Sequence, residues 1–322
     1  MNLLAFAGGV GGAKLAEGLL HAVGAEQLTV IVNTADDFTL YGLHISPDLD
    51  TVMYTLAGLA NPDTGWGIQG DTWQTFDMLA CYGTEPWFHL GDRDMATHIL
   101  RTQWMNDGIP LSLVMRQLAK RLKVEVTILP MSDDPVHTLV DTDKGPLPFQ
   151  EYFVKYGWQP VVRGLMYEGA SEAEPAPGML RRIETADTIV ICPSNPYLSI
   201  GPILALRGVH DVLLNATAPI IAVSPIVAGE AIKGPAAKLM KELGKEPSAL
   251  EVARHYAEFL NGFVLDERDA ALRPQIEAMG MGVFVTDTIM KNAEDRARLA
   301  CEVLTFADQL RPEKLGGCKL NE

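Results

Sequence analysis

The sequence predicts an α/β protein with an open, mostly parallel sheet, and three observations favour this class. Short apolar runs alternate with segments of helical periodicity along most of the chain. The runs 188–192 and 220–223 are apolar throughout, as is typical of strands that are buried on both faces. The loops between these segments are short, so we expect consecutive strands to run parallel with helices between them.

The clearest strand–helix–strand unit lies at the start of the sequence. The apolar run 2–7 ends at a glycine-rich segment, residues 8–12, and residues 13–23 repeat Leu and Ala at helical spacing. A second apolar run, 28–32, stops at the polar residues 33–37. Parallel strands joined by a helix place both of their carboxyl ends at one edge of the sheet. We therefore expect the glycine-rich segment and the polar residues to lie close together.

A helical segment interrupts this pattern. Residues 47–123 contain no convincing β-branched run but several segments of helical periodicity. The helical segments are residues 49–59, 72–82, 94–103 and 111–122. We expect residues 47–123 to form a small helical insert, and residues 1–46 and 124–322 to form the nucleotide-binding core. Further strands are predicted at residues 124–129, 138–140, 161–165, 188–192, 220–223, 262–265 and 282–285, and further helices at 234–243, 247–260 and 293–310.

The composition excludes several classes of partner. The chain has 26 Lys and Arg against 41 Asp and Glu, a formal net charge of −15 at pH 7, which disfavours binding to nucleic acid or to an anionic membrane. No apolar stretch reaches 18 residues, and the first residues lack a basic signal-peptide region, so we expect a cytoplasmic protein without membrane attachment. The four cysteines have no C-x-x-C spacing, and we expect them to be reduced.

The glycine-rich segment is the first candidate for chemistry. Gly8, Gly9, Gly11 and Gly12 would let the backbone turn tightly and approach a ligand at the start of a helix, where N–H groups suit a phosphate. The segment departs from the dinucleotide fingerprint at Lys14, and it also lacks the Gly-Lys-Ser/Thr of a P-loop. Two interpretations stay open: a nucleotide or phosphate cradle of non-standard type, and a tight turn that binds nothing.

Carboxylates form the second candidate. Asp36 and Asp37 follow the second strand, and Asp48 and Asp50 stand two residues apart before a helical segment. Mg²⁺ takes one or two carboxylates together with phosphate oxygens of a substrate, so these residues suit a magnesium site. The alternative is that Asp48 or Asp50 caps the helix that follows. The sequence favours neither interpretation.

Three further groups of polar residues belong to loops. Arg93 stands between two acids, which fits a structural ion pair or a substrate clamp. Ser194 and Asn195 follow a buried strand, at the position where open α/β sheets bind ligands. Lys233 or Lys238 could contact a phosphate near the end of the next strand. The tail after residue 300, which includes Cys318, is assigned only a packing or oligomer role.

Seven motifs in order resemble one known family, that of the 2-phospho-L-lactate transferases and phosphoenolpyruvate transferases of coenzyme F-420 biosynthesis. The resemblance runs from residue 2 to about residue 290, and the set is specific although each motif alone is weak. The motifs are Gly-Gly-Val-Gly-Gly-Ala-Lys at 8–14, Asn-Thr-Ala-Asp-Asp at 33–37, Ile-Ser-Pro-Asp-Leu-Asp-Thr-Val at 45–52, Leu-Gly-Asp-Arg-Asp and Ala-Thr-His within 90–98, Leu-Pro-Met-Ser-Asp-Asp at 129–134, Pro-Ser-Asn-Pro and Ser-Ile-Gly-Pro within 193–202, and Val-Ser-Pro-Ile at 223–226.

The resemblance implies a fold and a reaction. The fold is a Rossmann-like, mostly parallel sheet with helices on both faces and a small helical insert. The ribityl hydroxyl of Fo (7,8-didemethyl-8-hydroxy-5-deazariboflavin) attacks the phosphorus nearer the organic acid in a GDP-linked donor, and GMP leaves. The transferred group is phosphoenolpyruvyl or 2-phospho-L-lactyl, and a minority of relatives use a 3-phosphoglycerate donor. Relatives are commonly dimeric, so we expect a homodimer.

The resemblance also implies roles for single residues. Asp50 and Arg93 resemble the residues that contact Fo, and Asp36 and Asp50 resemble the ligands of Mg²⁺ and are the candidate catalytic residues. Asp37, beside Asp36, completes the candidate metal set. The nucleotide diphosphate would be held by Gly8, Gly9, Gly11, Gly12, Lys14, Asn33, Ser194 and Asn195.

A rival interpretation comes from a different class. Regulatory proteins of the gluconeogenesis-factor type, which are thought to bind nucleotide sugars, share the glycine-rich segment and the Asp-Asp strand end. The segments 46–51 and 91–94 favour the transferase, because they resemble the transferases specifically.

Overall fold

The computed structural model describes residues 1–231 and 234–311. Lys233 and Cys318, which were singled out above, lie outside these residues. Among the described residues, no helix is both long enough and apolar enough to cross a membrane.

Fourteen strands and twelve α-helices are described. The strands are β1 (Leu3–Ala7), β2 (Leu28–Val32), β3 (Phe38–Leu40), β4 (Leu43–Ile45), β5 (Thr127–Pro130), β6 (His137–Thr142), β7 (Gly145–Pro148), β8 (Val162–Glu168), β9 (Thr188–Ile191), β10 (Ile220–Val223), β11 (Ile226–Val227), β12 (Glu230–Ala231), β13 (Gly262–Asp266) and β14 (Gly282–Thr286). The helices are α1 (Gly9–Val23), α2 (Pro47–Leu56), α3 (Gln74–Cys81), α4 (Asp92–Asn106), α5 (Leu111–Arg121), α6 (Met179–Glu184), α7 (Gly201–Leu204), α8 (Val209–Leu214), α9 (Ala236–Glu242), α10 (Ala249–His255), α11 (Arg273–Glu277) and α12 (Ala293–Leu310).

Seven parallel strands form the central sheet, in the order β14-β13-β10-β9-β1-β2-β5. The chain runs outward from β1 through β2 to β5, and then returns to the other side of β1 with β9. This reversal of strand order is the Rossmann topology, so the predicted fold class is confirmed. The helices that follow β1 and β9 pack on opposite faces of the sheet, and at such a reversal point we expect a crevice at the carboxyl ends of the strands.

Both faces of the sheet are covered, because successive residues of each strand point to opposite sides. In β1, Leu3 and Ala5 belong to the apolar core under α1, α2, α5 and α12. Leu4 and Phe6 belong to the core on the other face, under α6, α8, α9 and α10. Burial on both faces explains why the strands of the sequence are apolar throughout.

The helical segment 47–123 contains four of the helices, α2 to α5. Val52 of α2 and Val114 of α5 belong to the same core as α1 and the sheet. The segment therefore packs directly on the sheet, and its division from the rest of the chain as a separate domain stays a prediction.

Two of the smaller features that differ from the sequence prediction are the start of α1 and a second sheet. Helix α1 begins at Gly9, so most of the glycine-rich segment is its first turn rather than a loop before it. The strands predicted at 138–140 and 161–165 belong to a three-stranded antiparallel sheet, β7-β6-β8, whose edge strand β7 was not predicted. The sequence of β7, Gly-Pro-Leu-Pro, has no strand pattern, and its two prolines fit only an edge position.

Candidate active site

A cavity of about 780 Å³ lies at the carboxyl ends of the central strands. The first turns of α1 and α2 and the loops after β2 and β9 contribute its polar wall. Aromatic side chains, referred to below as the aromatic wall, also line the cavity. The polar residues that line it include Lys14, Asp36, Asp48, Asp50, Asp94, His98, Ser194 and Asn195, and the aromatic ones include Tyr54, Trp66, Phe88, Phe149, Phe153 and Trp158.

The glycines let the loops after β1 and β9 approach each other closely. The backbone N–H of Gly8 donates to Ser194 Oγ at 3.1 Å. A Cβ atom on Gly11 would lie 2.3 Å from the carbonyl oxygen of Pro193, and one on Gly12 would lie 2.6 Å from Ser194 Oγ. Only glycine fits at these two positions, which brings the first turn of α1 to the cavity.

Asn33 joins two carboxylates at the wall of the cavity. Its Nδ2 donates to Asp36 Oδ2 at 3.0 Å and to Asp48 Oδ2 at 3.1 Å. Asp48 Oδ1 also accepts the backbone N–H of Gly9 at 2.8 Å. Asp48 therefore bonds to the first turn of α1 rather than to its own helix, α2. Asp36 Oδ1 is buried and makes no hydrogen bond of ordinary geometry in the described structure, although Thr138 lies near enough to this carboxyl to lower its pKa.

Burial and crowding raise the pKa values of these two carboxyls. The pKa of Asp36 lies well above its usual range, mainly because of burial and then because of the charges of Asp48 and Asp37. Burial raises the pKa of Asp48 to about 6, although hydrogen bonds from Asn33 and Gly9 oppose the change. A divalent cation would compensate the charge of such a pair.

Asp37 lies behind this pair. Its Oδ2 accepts a hydrogen bond from Ser46 Oγ at 2.7 Å and lies 3.1 Å from His44 Nε2. Burial raises the pKa of Asp37, and the contacts with His44 and Ser46 partly offset this effect. Asp37 Oδ1 is buried without a hydrogen-bond partner.

Asp50 is bound by an arginine that the sequence analysis did not single out. Arg101 Nη1 donates to Asp50 Oδ2 at 3.0 Å, and Nη2 donates to Oδ1. His98 Nδ1 lies 3.6 Å from Asp50 Oδ2, and His98 Nε2 lies 3.3 Å from Asp94 Oδ1. Asp50, Asp94 and His98 are the one group of three potential metal ligands found among the described residues.

Other predicted residues have contacts within the protein. Lys14 lines the cavity, and its Nζ donates to the carbonyl of Met290 at 3.0 Å. Asn195 Oδ1 accepts the N–H groups of Tyr197 and Leu198, so it caps the helical turn that follows. Lys238, the other lysine suggested for a phosphate, pairs with Glu242.

Arg93 lies outside the lining of the cavity. Its side chain is exposed, and Nη1 donates to the carbonyl of Gln69 at 3.0 Å. Asp71 accepts its backbone N–H. Its predicted contact with Fo therefore stays a prediction.

Sequence analysis missed Arg101 and the aromatic wall, and it considered Asp48 only as a ligand or cap of α2. An arginine in a helical pattern carries no mark of burial. The aromatic residues are scattered between positions 54 and 158, and only the fold brings them together. The helical spacing of Asp94, His98 and Arg101, at i, i+4 and i+7, could have placed the three side chains on one face of a helix, but it does not show that this face is buried.

A comparison with known protein families gives a match over most of the chain. A family model described as 2-phospho-L-lactate transferase CofD matches residues 3–304. The chain belongs to the CofD family. As a member of this family, the protein is a transferase of the 2-phospho-L-lactate transferase type.

Individual relatives of this CofD protein cover nearly all of the chain. A phosphoenolpyruvate transferase of Streptomyces griseus is 43% identical over 317 residues, covering 97% of this chain and 100% of the relative. A 2-phospho-L-lactate transferase of Methanosarcina mazei is 41% identical over 298 residues, covering 92% of this chain and 98% of the relative. The crystal structure of a UPF0052 family protein from Bacillus halodurans has the same fold, with a TM-score of 0.61, 15% identity, and coverage of 94% of this chain and 98% of that one.

Proposed function

We propose that the protein transfers a phosphoenolpyruvyl or 2-phospho-L-lactyl group from a GDP-linked donor to the ribityl hydroxyl of Fo, and releases GMP, in coenzyme F-420 biosynthesis. One observation carries the proposal: a single cavity borders a helix N-terminus, a pair of carboxylates and an aromatic wall. These three surfaces suit a diphosphate, a divalent cation and a planar ring system, which are the groups that this reaction brings together.

The donor would bind at the first turn of α1. Helix N-termini present N–H groups and a partial positive charge to phosphates. Gly9 and Gly11 line the cavity there, and so does Lys14. A chain with a net charge of −15 could hold a phosphate-rich ligand at this place, because backbone dipoles and a bound cation would supply the positive potential.

Mg²⁺ would be held by Asp36 and Asp48. The fit rests on the buried Oδ1 of Asp36, which makes no hydrogen bond of ordinary geometry, and on the neutral donors, Asn33 and Gly9, that these two carboxylates have in the described structure. When bound, the ion would neutralise charge on the phosphate oxygens of the donor. Ligation by Asp37 and Asp50 stays a prediction.

The acceptor would bind between the aromatic wall and Asp50. Phe149 and Phe153 stack with ring centroids 5.4 Å apart, and both line the cavity. Asp50 would accept a hydrogen bond from the ribityl hydroxyl and orient its oxygen toward phosphorus. The new O–P bond forms as the bond to GMP breaks, and the phosphate of the departing GMP takes up the proton that the hydroxyl loses. In-line positioning supplies much of the rate in this class of reaction.

An assay with three donors tests the proposal. The purified protein is incubated with Fo, Mg²⁺ and the enolpyruvyl, lactyl or phosphoglyceryl GDP adduct, and both GMP and the mass of the deazaflavin product are followed. We expect equimolar GMP and a phosphodiester of Fo with one donor, and loss of both when EDTA is added. The 43% and 41% identities to relatives of both names do not select between the enolpyruvyl and lactyl donors.

Two results would contradict the proposal. Absence of Fo product with all three donors, from folded protein, would exclude the transfer. Binding of a nucleotide sugar without turnover would favour the regulatory class instead. The homodimer also stays a proposal, and light scattering after size-exclusion chromatography would test it.

A further inference from the structure

A series of buried polar contacts begins at Asp50, and its first member, Arg101, lies behind the cavity wall. Arg101 is completely buried and does not line the cavity, whereas Asp50 does. The guanidinium bonds to both oxygens of this carboxylate, as described above. A bidentate arginine fixes a carboxylate in its plane more firmly than a single hydrogen bond does.

These polar contacts continue beyond Arg101 along one face of α4. Arg101 Nη1 lies 3.3 Å from His98 Nδ1, and His98 Nε2 lies 3.3 Å from Asp94 Oδ1. Tyr54 Oη donates to Asp94 at 2.6 Å. Asp94, His98 and Arg101 recur at helical spacing, so one rigid helix holds all three.

Stability alone gives a weak reason for this arrangement. Replacing a buried ion pair by well-packed apolar side chains is often neutral or stabilising, because charges lose their hydration on burial. Arg101 is among the largest completely buried side chains of the protein, and its Nε has no hydrogen-bond partner in the described structure. The arrangement makes physical sense if the orientation of Asp50 matters to the reaction.

We propose that Arg101 is a positioning residue, which fixes the carboxylate of Asp50 in the orientation that aligns the acceptor hydroxyl for attack on phosphorus. This inference rests on the proposed function. Arg101 acts only through Asp50, since its guanidinium is shielded from the cavity. His98 Nδ1 contacts Arg101, and His98 Nε2 lies near Asp94.

A double-mutant cycle on transfer activity tests the inference. In otherwise wild-type protein, Arg101→Met should lower kcat about 100-fold and change the KM for Fo by less than about 3-fold, because orientation rather than binding is lost. Arg101→Lys should stay at least about 10-fold impaired, since lysine restores charge but not the bidentate geometry. In the Asp50→Asn background, Arg101→Met should lower kcat by no more than about 3-fold.

Arg296→Met is the matched control. It removes a second arginine–carboxylate pair, the one between Arg296 and Glu17. This pair is partly buried and lies outside the lining of the cavity. This variant should lower the thermal midpoint and leave kcat unchanged. Full activity of Arg101→Lys would overturn the inference, and so would an Arg101→Met effect of the same size in both backgrounds. If Arg101→Met does not fold, Arg101→Lys carries the test.

A crystal structure of Arg101→Lys separates this inference from the proposed function. We expect the Asp50 carboxylate to rotate or become disordered in the variant, whatever the substrate proves to be. An unchanged, well-ordered Asp50 would overturn the inference. Failure of wild-type protein to form an Fo product would instead overturn the proposed function alone.

Discussion

At the scale of single residues, Asp48 shows how one side chain serves two helices. It belongs to the first turn of α2, yet its carboxylate accepts the N–H of Gly9 at the start of α1. Asn33 holds the same carboxylate beside Asp36. Two carboxylates are thus held together in the wall of the cavity, where the charge of Asp48 helps to raise the pKa of Asp36. Carboxylates whose ionisation destabilises the folded protein are common at functional sites.

Asp48→Asn should therefore stabilise the protein at neutral pH. The folded pKa of about 6 lies above the ordinary value of 3.8, so the folded chain binds more protons than the unfolded chain between about pH 4 and pH 6. The free energy of unfolding of wild type consequently falls as pH rises through this window. At pH 7.5 we expect the variant to be more stable by about 3 kcal/mol, since a rise of the pKa from 3.8 to about 6 costs about 1.4 kcal/mol for each unit. Below pH 4 the difference should vanish. Urea unfolding at pH 7.5 and below pH 4 measures this difference in the free energy of unfolding.

Asp92→Asn is the control with the opposite sign. Hydrogen bonds from Thr72, Thr75 and Gln74 hold the pKa of Asp92 below its usual range. Its contribution to stability is present above the unfolded pKa and is lost as pH falls, so this variant should be less stable than wild type at pH 7.5. A destabilised Asp48→Asn at pH 7.5 would show that its hydrogen bonds outweigh the cost of burial.

At the scale of elements, α1 is the helix on which the site depends. Its first turn borders the cavity, and its later turns pack against α12. Gly18 allows this approach: a Cβ atom there would lie 2.1 Å from the carbonyl oxygen of Arg296, a backbone atom of α12. The absence of a side chain at Gly18, in the middle of α1, thus sets how closely the two helices pack.

Gly18→Ala separates helix propensity from packing. In an isolated helix the change would stabilise by about 1 kcal/mol. Here we expect the protein to lose about 1 to 3 kcal/mol, because the added methyl group forces the backbone of α12 to move. Thermal unfolding checks the sign. Gly164→Ala is the control, since its Cβ would meet nothing nearer than 3.9 Å and should change the thermal midpoint little. A stabilised Gly18→Ala would contradict this close contact between α1 and α12.

At the scale of the whole molecule, the acidic charge and the phosphate chemistry are compatible. The net charge of −15 disfavours polyanions that bind through surface lysines and arginines. The polar wall of the cavity instead offers the first turn of α1 and the carboxylates of Asp36 and Asp48. Part of the acidic excess therefore lies in the wall of this cavity.

This arrangement predicts how donor binding responds to ions. The affinity for the GDP-linked donor should fall more than about 10-fold when Mg²⁺ is removed, since the carboxylates would then face the phosphates uncompensated. Raising NaCl from about 50 to about 300 mM should change it less than about 3-fold, because few exposed cations are involved. Calorimetric titration measures both. A steep salt dependence with no effect of Mg²⁺ would indicate binding through lysines and arginines.

The sequence by itself determined the sheet and the region of the site. Apolar runs such as 188–192 predicted buried strands correctly, because burial on both faces leaves a continuous signal along the chain. The polar residues after β1, β2 and β9 could be placed at one edge, because parallel strands share their carboxyl ends. Family motifs then identified the class of transferase, which the family match confirms.

Only the tertiary structure decided which side chains meet. Asp50 and Arg101 stand 51 positions apart on two helices. Nothing in the sequence around either residue shows that the two form a pair. The helical pattern of α4 is the same whether its polar residues face water or the interior. Pairing across helices depends on distances set by packing, which leave no period in the sequence. For the same physical reason, the aromatic wall and the close approach at Gly18 became visible only in the folded chain.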